Sequence, residues 1–215
     1  MKLVVTEGLD GSGKSTQTDL LKDYLNKQCI PFKYVHFPRT ETPIFGELIS
    51  KFLRGEFGKL DKVNPYLVAL IYAADRQNAN EMVKEWLAQG NLVIIDRYVY
   101  SNIAFQCAKL KTDVKKKELQ DWILDLEFNV YKLCKPDISI FLDAPFSFTH
   151  QSLTKQREGI GREYLNGKID IHEADLNFQE RVRLEYLKFL NQDNTFFRID
   201  CGNAQIGRAS CRERV

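Results

Sequence analysis

The chain has 215 residues, of which 44% are hydrophobic and 28% are charged. This composition supplies enough apolar material for a sizeable core and excludes an intrinsically disordered chain. The formal net charge is only +2, and the pI near 8.2 lies below the value of about 9 that is typical of nucleic-acid-binding domains. We therefore expect a globular protein without a nucleic-acid partner.

Membrane insertion and secretion are not indicated either. The longest uninterrupted apolar run, residues 66–74, is far shorter than the roughly 18 residues that a membrane-spanning helix needs. The amino end shows no apolar signal segment, and the cysteines form no Cys-x-x-Cys pair. We expect a cytoplasmic protein with reduced thiols and no membrane contact.

Short apolar runs alternate with longer amphipathic stretches along the chain. The runs predict five strands, at residues 2–6, 33–37, 92–96, 138–143 and 196–200. The stretches between them predict helices near residues 15–27, 44–53, 65–89, 115–133 and 175–191. Because runs such as 92–95 are continuously apolar, the strands are expected to be buried on both faces. We predict an α/β protein with a three-layer, doubly wound fold around a five-stranded parallel sheet.

Two segments depart from this alternation. Residues 155–170 combine glycines with basic side chains, which predicts a mobile basic loop. Residues 206–215 have no amphipathic period and differ in composition from the preceding segment, so we interpret them as an atypical tail, frayed or of non-native origin. Residues 1–205 are expected to form a single domain.

A phosphate-binding loop follows directly on the first predicted strand, because residues 8–15 match the pattern Gly-x4-Gly-Lys-Ser/Thr. Backbone N–H groups of such a loop surround phosphate oxygens, Lys14 adds a cation, and the Ser15 hydroxyl is a ligand for Mg²⁺. The sequence therefore predicts a site for ATP or GTP. The residues predicted to bind the nucleotide are Gly8, Leu9, Asp10, Gly11, Ser12, Gly13, Lys14, Ser15 and Thr16.

Charged residues also follow two other predicted strands. Asp96 ends the third strand and Arg97 follows it, while Arg39 follows the second strand. The carboxyl ends of parallel strands meet at one edge of a sheet, where ligands bind. Asp96 is placed like an aspartate that holds Mg²⁺, and Arg97 is suited to clamp a phosphate; the alternative is an ion pair that caps the strand. Together with Lys14, the two arginines suit two phosphate-bearing substrates.

The ordered set of motifs resembles that of the thymidylate kinase (dTMP kinase) family. The motifs are residues 7–17, Phe37-Pro38-Arg39, Tyr72-Ala73-Ala74-Asp75-Arg76, Asp96-Arg97-Tyr98-Val99-Tyr100-Ser101-Asn102, Ala104-Phe105, Pro136-Asp137, Leu142-Asp143 and Asp170-x-x-Glu173. They cover nearly the whole chain in family order. The resemblance implies a homodimeric enzyme with the P-loop kinase fold. Its expected reaction is Mg²⁺-dependent transfer of a phosphoryl group from ATP to dTMP, which gives dTDP and ADP.

The resemblance also implies how dTMP is held. Tyr72 would stack on the thymine, and Arg76, one helical turn later, would hydrogen-bond its edge. Core packing is the alternative for Tyr72, and Arg76 argues against it because its guanidinium needs a partner. Arg39 and Arg97 match arginines that hold the acceptor phosphate. The residues predicted to contact dTMP are Asp10, Phe37, Arg39, Tyr72, Arg76, Arg97, Ser101, Asn102 and Phe105.

Three of these positions have more specific implied roles. Asp10 matches the aspartate near the 3′-hydroxyl and the transferring phosphoryl group. Asn102 matches a polar residue that contacts the base. Phe105 matches a ring under the sugar that disfavours a 2′-hydroxyl. For the last two, a surface amide and a core phenylalanine are the alternatives.

The basic loop at residues 155–170 corresponds to the family's lid, which closes over ATP. Some members carry an arginine inside the phosphate loop where this chain has Gly11 and Ser12, so the lid would have to supply that charge. One of Arg157 and Arg162 would stabilise the transferring group, and the other would stack on adenine. The predicted catalytic residues are Lys14, Arg97, Arg157, Arg162 and Asp10. The predicted Mg²⁺ ligands are Ser15 and Asp96.

No general base is expected, because the attacking phosphate oxygen of a monoester is already ionised at neutral pH. His36, His150 and His172 are accordingly predicted to be solvated and without a role. Two alternatives stay open at this point. One is a deoxynucleoside kinase of the same fold, against which Arg39 argues because a nucleoside brings no phosphate. The other is an impaired, regulatory protein that binds ATP without transferring phosphate.

Overall fold

A five-stranded, all-parallel sheet forms the centre of the protein in the computed structural model, which describes residues 2–149, 163–167, 170–172 and 175–202. The strands are β1 (Leu3–Gly8), β2 (Phe32–His36), β3 (Leu92–Asp96), β4 (Ile138–Asp143) and β5 (Phe196–Asp200), and they lie in the order β2-β3-β1-β4-β5. The predicted α/β fold with a five-stranded parallel sheet is confirmed, and three of the strands have their predicted bounds.

Burial follows the position of each strand in the sheet. In β1, Val5 pairs with Ile95 of β3 and with Ser139 of β4, and all three residues are fully buried. The edge strand β5 is exposed after its first residue, Phe196. The inner strands are thus covered on both faces by helices, as their continuous apolar sequences indicate.

Six α-helices that lie wholly within the described ranges surround the sheet: α1 (Lys14–Lys27), α2 (Phe45–Leu53), α3 (Pro65–Ala88), α4 (Val99–Cys107), α5 (Asp113–Leu124) and α6 (Leu176–Lys188). Their ends follow local chemistry. The Asn64 side chain accepts a hydrogen bond from the Tyr66 N–H at 2.9 Å, and Pro65 occupies the first turn of α3. Asp175 caps α6 by accepting from the Phe178 N–H at 3.1 Å. These caps use backbone donors that a helix cannot satisfy internally.

Three helical segments differ from the sequence prediction. Helix α4 was not predicted, because all its residues except Tyr100 are buried, so its sequence shows no apolar stripe. The helix predicted at 115–133 is α5 followed by a π-helical turn, Asp125–Val130. The helix predicted at 175–191 is α6 followed by a 3-10 turn, Phe189–Asn191.

The predicted lid is described only in part, and the predicted tail lies outside the described residues. Within residues 155–170, a 3-10 turn, Glu163–Leu165, places Leu165 in a small core beside the main one. That core also contains Ile49, Phe52, Leu53 and Val68. Residues 206–215 lie outside the described residues, so the lid, the tail and the domain limits stay predictions.

The described part of the chain also allows the cysteines and the apolar helices to be compared with the expectations of reduced thiols and no membrane-spanning segment. Cys29, Cys107 and Cys134 are free thiols. None of the described helices is both long and apolar enough to cross a membrane.

Candidate nucleotide-binding site

A cavity of about 750 Å³ opens at the carboxyl ends of β1, β2 and β3. This volume is typical of sites for small molecules. Because β1, β3 and β2 are neighbours in the sheet, residues from distant motifs meet at this edge. The predicted site residues that line the cavity are Asp10, Gly11, Lys14, Ser15, Phe37, Arg39, Tyr72, Arg76, Asp96, Arg97, Ser101, Asn102 and Phe105.

The phosphate loop depends on glycines at two positions. A Cβ on Gly8 would lie 2.7 Å from Ser12 Oγ and 3.1 Å from the Leu142 carbonyl oxygen, so a side chain does not fit there. Gly13 has φ +87°, in the left-handed region that favours glycine. The loop therefore turns tightly into α1, whose first backbone N–H groups have no acceptor within the helix and can donate to a phosphate.

Lys14 is buried where the loop enters α1. Its Nζ donates to the carbonyl oxygens of Gly8 at 3.2 Å and Leu9 at 2.8 Å. Burial, and secondly the charge of Arg97, lower the pKa of Lys14 to about 8. The ammonium group therefore gains from an anion beside it, which is what a bound phosphate supplies.

Arg97 contacts the phosphate loop and has an unusual backbone conformation, with φ +66°. A non-glycine residue in this region costs on the order of 1 kcal/mol or more; its N–H donates to the Thr6 carbonyl oxygen at 2.9 Å. This backbone places the guanidinium beside Asp10, with Nη2 2.6 Å from Asp10 Oδ1, and 5.2 Å from the Phe105 ring centre.

The carboxylate of Asp10 is held ionised by these cations. Burial alone would raise its pKa, but Arg97 and Lys14 outweigh burial and lower it. Gln179 Nε2 also donates to Asp10 Oδ2 at 3.3 Å. Asp10 is thus a fixed anion between the two predicted phosphate-binding cations.

Glu7, the residue before the loop, anchors this arrangement from inside. Its Oε1 accepts from the Tyr98 N–H at 3.0 Å and the Ser101 N–H at 3.3 Å, and its Oε2 accepts from the Ser101 hydroxyl at 2.5 Å. Burial raises its pKa, although these hydrogen bonds and Arg97 partly offset the effect. Glu7 therefore ties the start of α4 to β1. The signal in the sequence is a carboxylate at the end of an otherwise buried strand.

Asp96 and Ser15 lie in the same cavity as candidate Mg²⁺ ligands. Asp96 Oδ2 lies 3.3 Å from His36 Nδ1, whereas its buried Oδ1 has no hydrogen-bond partner among the described residues. Burial raises the pKa of Asp96, but His36, Lys14 and Arg97 bring it to about 2, so the group is ionised.

This donor set fits Mg²⁺. Among the described residues, no group of three or more histidine, cysteine, aspartate or glutamate side chains is placed to hold a metal ion by itself. Mg²⁺ takes oxygen ligands, keeps several waters and shares substrate phosphates, so one carboxylate and one hydroxyl are sufficient from the protein. The free Oδ1 of Asp96 and the exposed Ser15 meet that requirement.

Arg39 is held at the cavity wall by α3. Its Nε donates to Asp75 Oδ1 at 2.9 Å and its Nη2 donates to Asn78 Oδ1 at 2.8 Å. Its guanidinium lies 5.7 Å from the ring centre of the buried Phe37. Asp75 was part of the family motif in the sequence, but its role in holding Arg39 was not predicted.

The far end of the cavity, which we call the base end, contains Tyr72, Arg76 and Asn102. Tyr72 is half-buried and its ring packs edge-on against Phe52 with centroids 6.4 Å apart, so it both lines the cavity and joins the small core. Asn102 is 2% exposed, which excludes a surface amide. Arg76 is paired with Glu127 of the π-helical turn, at 2.5 Å and 2.7 Å.

His172 is in a different environment from the one predicted. The solvated side chain expected from the sequence is wrong, because His172 is 5% exposed and packs among the rings of Phe52, Phe105 and Phe178. Its Nε2 has no hydrogen-bond partner in the described part of the chain. Burial, and secondly the charge of Lys109, lower its pKa to about 3, so the imidazole is neutral.

His172 lies in a turn, and its aromatic neighbours come from three helices, so no local pattern indicated this burial. His36 is half-exposed, as expected, but contacts Asp96. His150 and the two lid arginines, Arg157 and Arg162, lie outside the described residues, so the predictions for them stand as predictions.

Comparisons with known proteins identify the family of this chain. The family model described as thymidylate kinase matches residues 6–207. The thymidylate kinase of Plasmodium falciparum is 30% identical over 192 residues, which cover 89% of this chain and 79% of that protein. A probable thymidylate kinase of Thermococcus gammatolerans is 35% identical over 192 residues, covering 86% and 81%.

A solved structure is similar as well. Thymidylate kinase from Candida albicans superposes with a TM-score of 0.70 at 28% identity, covering 94% of this chain and 84% of that one. The resemblance inferred from the sequence motifs is confirmed. This chain belongs to the thymidylate kinase family.

Proposed function

We propose that this protein transfers the terminal phosphoryl group of ATP to dTMP and that the cavity holds the two substrates end to end. ATP-dependent phosphorylation of dTMP to dTDP is the activity of the family to which the chain belongs. The observation that carries the proposal for the site is the meeting, in one cavity, of Lys14, Arg97 and Arg39 with a base end formed by Tyr72, Arg76 and Asn102.

The phosphate loop would bind ATP. Lys14 Nζ now contacts only carbonyl oxygens among the described residues, so it can turn to the phosphates without breaking an ion pair. Its low pKa means that a phosphate beside it is favourable. The N–H groups at the start of α1 add donors and a partial positive charge.

Arg97 would orient the phosphate of dTMP and neutralise charge between the two substrates. Its guanidinium has five N–H donors, and the contacts with Asp10 and Ser101 leave donors free for a phosphate. Arg39, fixed by Asp75, adds a second donor group at the same wall. Because the acceptor oxygen is already ionised, this positioning and charge neutralisation account for the chemistry that the protein must supply.

Ser15 and the free Oδ1 of Asp96 would hold Mg²⁺. The ion would neutralise negative charge on the phosphates of ATP during transfer. Asp96 is suited to this role because its pKa of about 2 keeps it ionised at neutral pH.

The sugar and base of dTMP would lie toward α3 and α4. Phe105 packs beside Arg97 and lines the cavity, so its ring can crowd the 2′ position. Tyr72 would stack on the thymine, and Arg76 and Asn102 would contact its edge. A lid with Arg157 and Arg162, a homodimer and a cytoplasmic location complete the proposal; all three come from the sequence predictions, and the mass in solution tests the homodimer.

The test is ADP formation from Mg²⁺-ATP with dTMP, dUMP, dCMP, dGMP, AMP and thymidine as separate acceptors. Selective turnover of dTMP is the expected result. Turnover of thymidine in preference to dTMP would instead assign a nucleoside kinase, and ATP binding without acceptor-dependent turnover would assign a regulatory protein. Arg97→Lys, which keeps the charge but not the planar fork, should raise the KM for dTMP without abolishing ATP binding.

A further inference from the structure

Glu127 lies behind the base end and contacts two side chains that line the cavity. It is 0% exposed and belongs to the π-helical turn Asp125–Val130. π-helical turns next to α-helices are rare and frequently occur at functional sites. A buried carboxylate is also costly unless it is fully paired. Both facts call for an explanation in terms of the residues that Glu127 holds.

The first of these residues is Asn102, whose amide orientation is fixed. Its Nδ2 donates to the Ala69 carbonyl oxygen at 3.0 Å and to Glu127 Oε1 at 3.0 Å. Both partners can only accept, so turning the amide over would place Oδ1 against two acceptors. Asn102 Oδ1 is buried and has no partner among the described residues, which leaves it free to accept a hydrogen bond from a ligand.

The second residue is Arg76, whose guanidinium is held as a fork. Its Nε lies 2.5 Å from Glu127 Oε2 and its Nη2 lies 2.7 Å from Glu127 Oε1. This bidentate geometry fixes the plane of the guanidinium. Its Nη1 has no hydrogen bond within the described ranges and therefore remains a donor. Glu127 thus holds one donor and one acceptor side by side at the cavity wall.

The hydrogen-bonding groups on the edge of a pyrimidine base determine whether it fits this donor and acceptor at the cavity wall. Thymine and uracil present an accepting O4 beside a donating N3–H, whereas cytosine presents a donating amino group beside an accepting N3. We infer that Glu127 is a positioning residue that sets the donor and acceptor pattern and so favours dTMP over dCMP. This inference rests on the proposed function, because it concerns the acceptor of the same reaction.

The test is Glu127→Gln, assayed with dTMP, dUMP and dCMP. The new Nε2 donor faces a donor of Arg76 in either orientation of the amide and weakens the contacts that fix Arg76 and Asn102, so the ratio of kcat/KM for dTMP to that for dCMP should fall about 10-fold or more. The change should lie mainly in the KM for dTMP, because the base is remote from the transferred group. The ratio for dTMP to dUMP should not change, since both bases present the same edge. The KM for ATP should also stay unchanged.

Two further variants separate positioning from loss of stability. Glu185→Gln removes another buried carboxylate, which accepts from Lys116 Nζ at 2.7 Å and does not line the cavity. It should lower the melting temperature without changing the dTMP to dCMP ratio. Glu127→Asp keeps the charge but shortens the side chain, and it should lower the ratio by less than Glu127→Gln does. If Glu127→Gln does not fold, Glu127→Asp decides the question.

The outcomes distinguish this inference from the proposed function. Failure of the unmodified protein to phosphorylate dTMP would overturn the proposed function itself. Turnover of dTMP by the unmodified protein, with an unchanged dTMP to dCMP ratio in the folded Glu127 variants, would overturn only the role of Glu127. An equal loss with all three pyrimidine nucleotides would also overturn it, because that result is what a purely structural role gives.

Discussion

The cavity has a phosphate end, at Lys14, and a base end, at Arg76, and the cations at these two ends are stabilised in different ways. At the phosphate end, Lys14 Nζ contacts only backbone carbonyl oxygens among the described residues, and its pKa is lowered. At the base end, Arg76 forms a buried bidentate pair with Glu127. Burial by itself would lower the pKa of Arg76, but the charge and hydrogen bonds of Glu127 outweigh burial and raise it. Phosphate can complete the first site, whereas the second is already neutral and offers a pattern of donors and acceptors. The difference matches the anionic phosphates proposed for the loop and the uncharged base proposed for the other end of the cavity.

The largest expected effect comes from removing the buried ion pair at the base end. Arg76→Met leaves the Glu127 carboxylate buried without its ion-pair partner, which should lower the free energy of unfolding by about 3–5 kcal/mol. Urea denaturation measures this loss. The double variant Arg76→Met with Glu127→Leu removes both charges and should recover most of the stability. A single variant as stable as the unmodified protein would show that the pair is not buried in solution.

The same substitution at the phosphate end should have the opposite outcome. Lys14→Met removes a cation that has no carboxylate partner among the described residues, so the fold should be retained. The kcat for dTMP should fall about 100- to 1000-fold, because a group that stabilises charge on the transferring phosphate is lost. Steady-state kinetics and a melting curve measure both properties. A large fall in melting temperature would contradict the contrast between the two ends.

These two ends also differ in how well the sequence predicts them. Lys14 and its loop are contiguous in the chain and have a recognisable spacing, so both the residues and their chemistry could be predicted. Glu127 is 51 residues from Arg76, and it lies in a segment that the apolar period indicates as an ordinary helix. Only the packing of α3 against the π-helical turn brings the two together, and no local pattern encodes that contact.

The fold shows the same division. Strands such as β3 are continuous apolar runs between turns, and their bounds could be predicted from the positions of these runs in the sequence. Helix α4 and His172 could not be, because their burial on all sides depends on neighbours from other elements. The sequence therefore predicts the sheet and the phosphate loop well and the walls of the cavity only in part.

His172 lies between the two ends and gives a prediction of intermediate size. Its folded pKa of about 3 lies below the usual value near 6.5, so the unfolded chain binds the proton first as the pH falls. The stability that it contributes is complete above pH 6.5 and is lost progressively toward pH 3. Between pH 7 and pH 5 the unmodified protein should lose about 2 kcal/mol more than His172→Phe does.

Urea denaturation at the two pH values measures this difference. The groups that face His172 are Lys109, Asp10, Arg97 and Asp170, and all four are present in both proteins. Equal losses in the unmodified protein and in His172→Phe would mean that His172 is solvated after all.

The smallest expected effect tests whether the base end depends on specific contacts or on the stability of its supporting helix. Thr112 Oγ1 accepts from the Lys115 N–H at 3.4 Å and caps α5, which leads into the π-helical turn. Thr112→Ala should lower the free energy of unfolding by about 1 kcal/mol, and Thr112→Ser should not. The ratio of kcat/KM for dTMP to that for dCMP should be the same in both, because neither variant touches the contacts of Glu127. A lower ratio in Thr112→Ala would mean that discrimination follows the stability of α5 rather than the geometry of Arg76, Glu127 and Asn102.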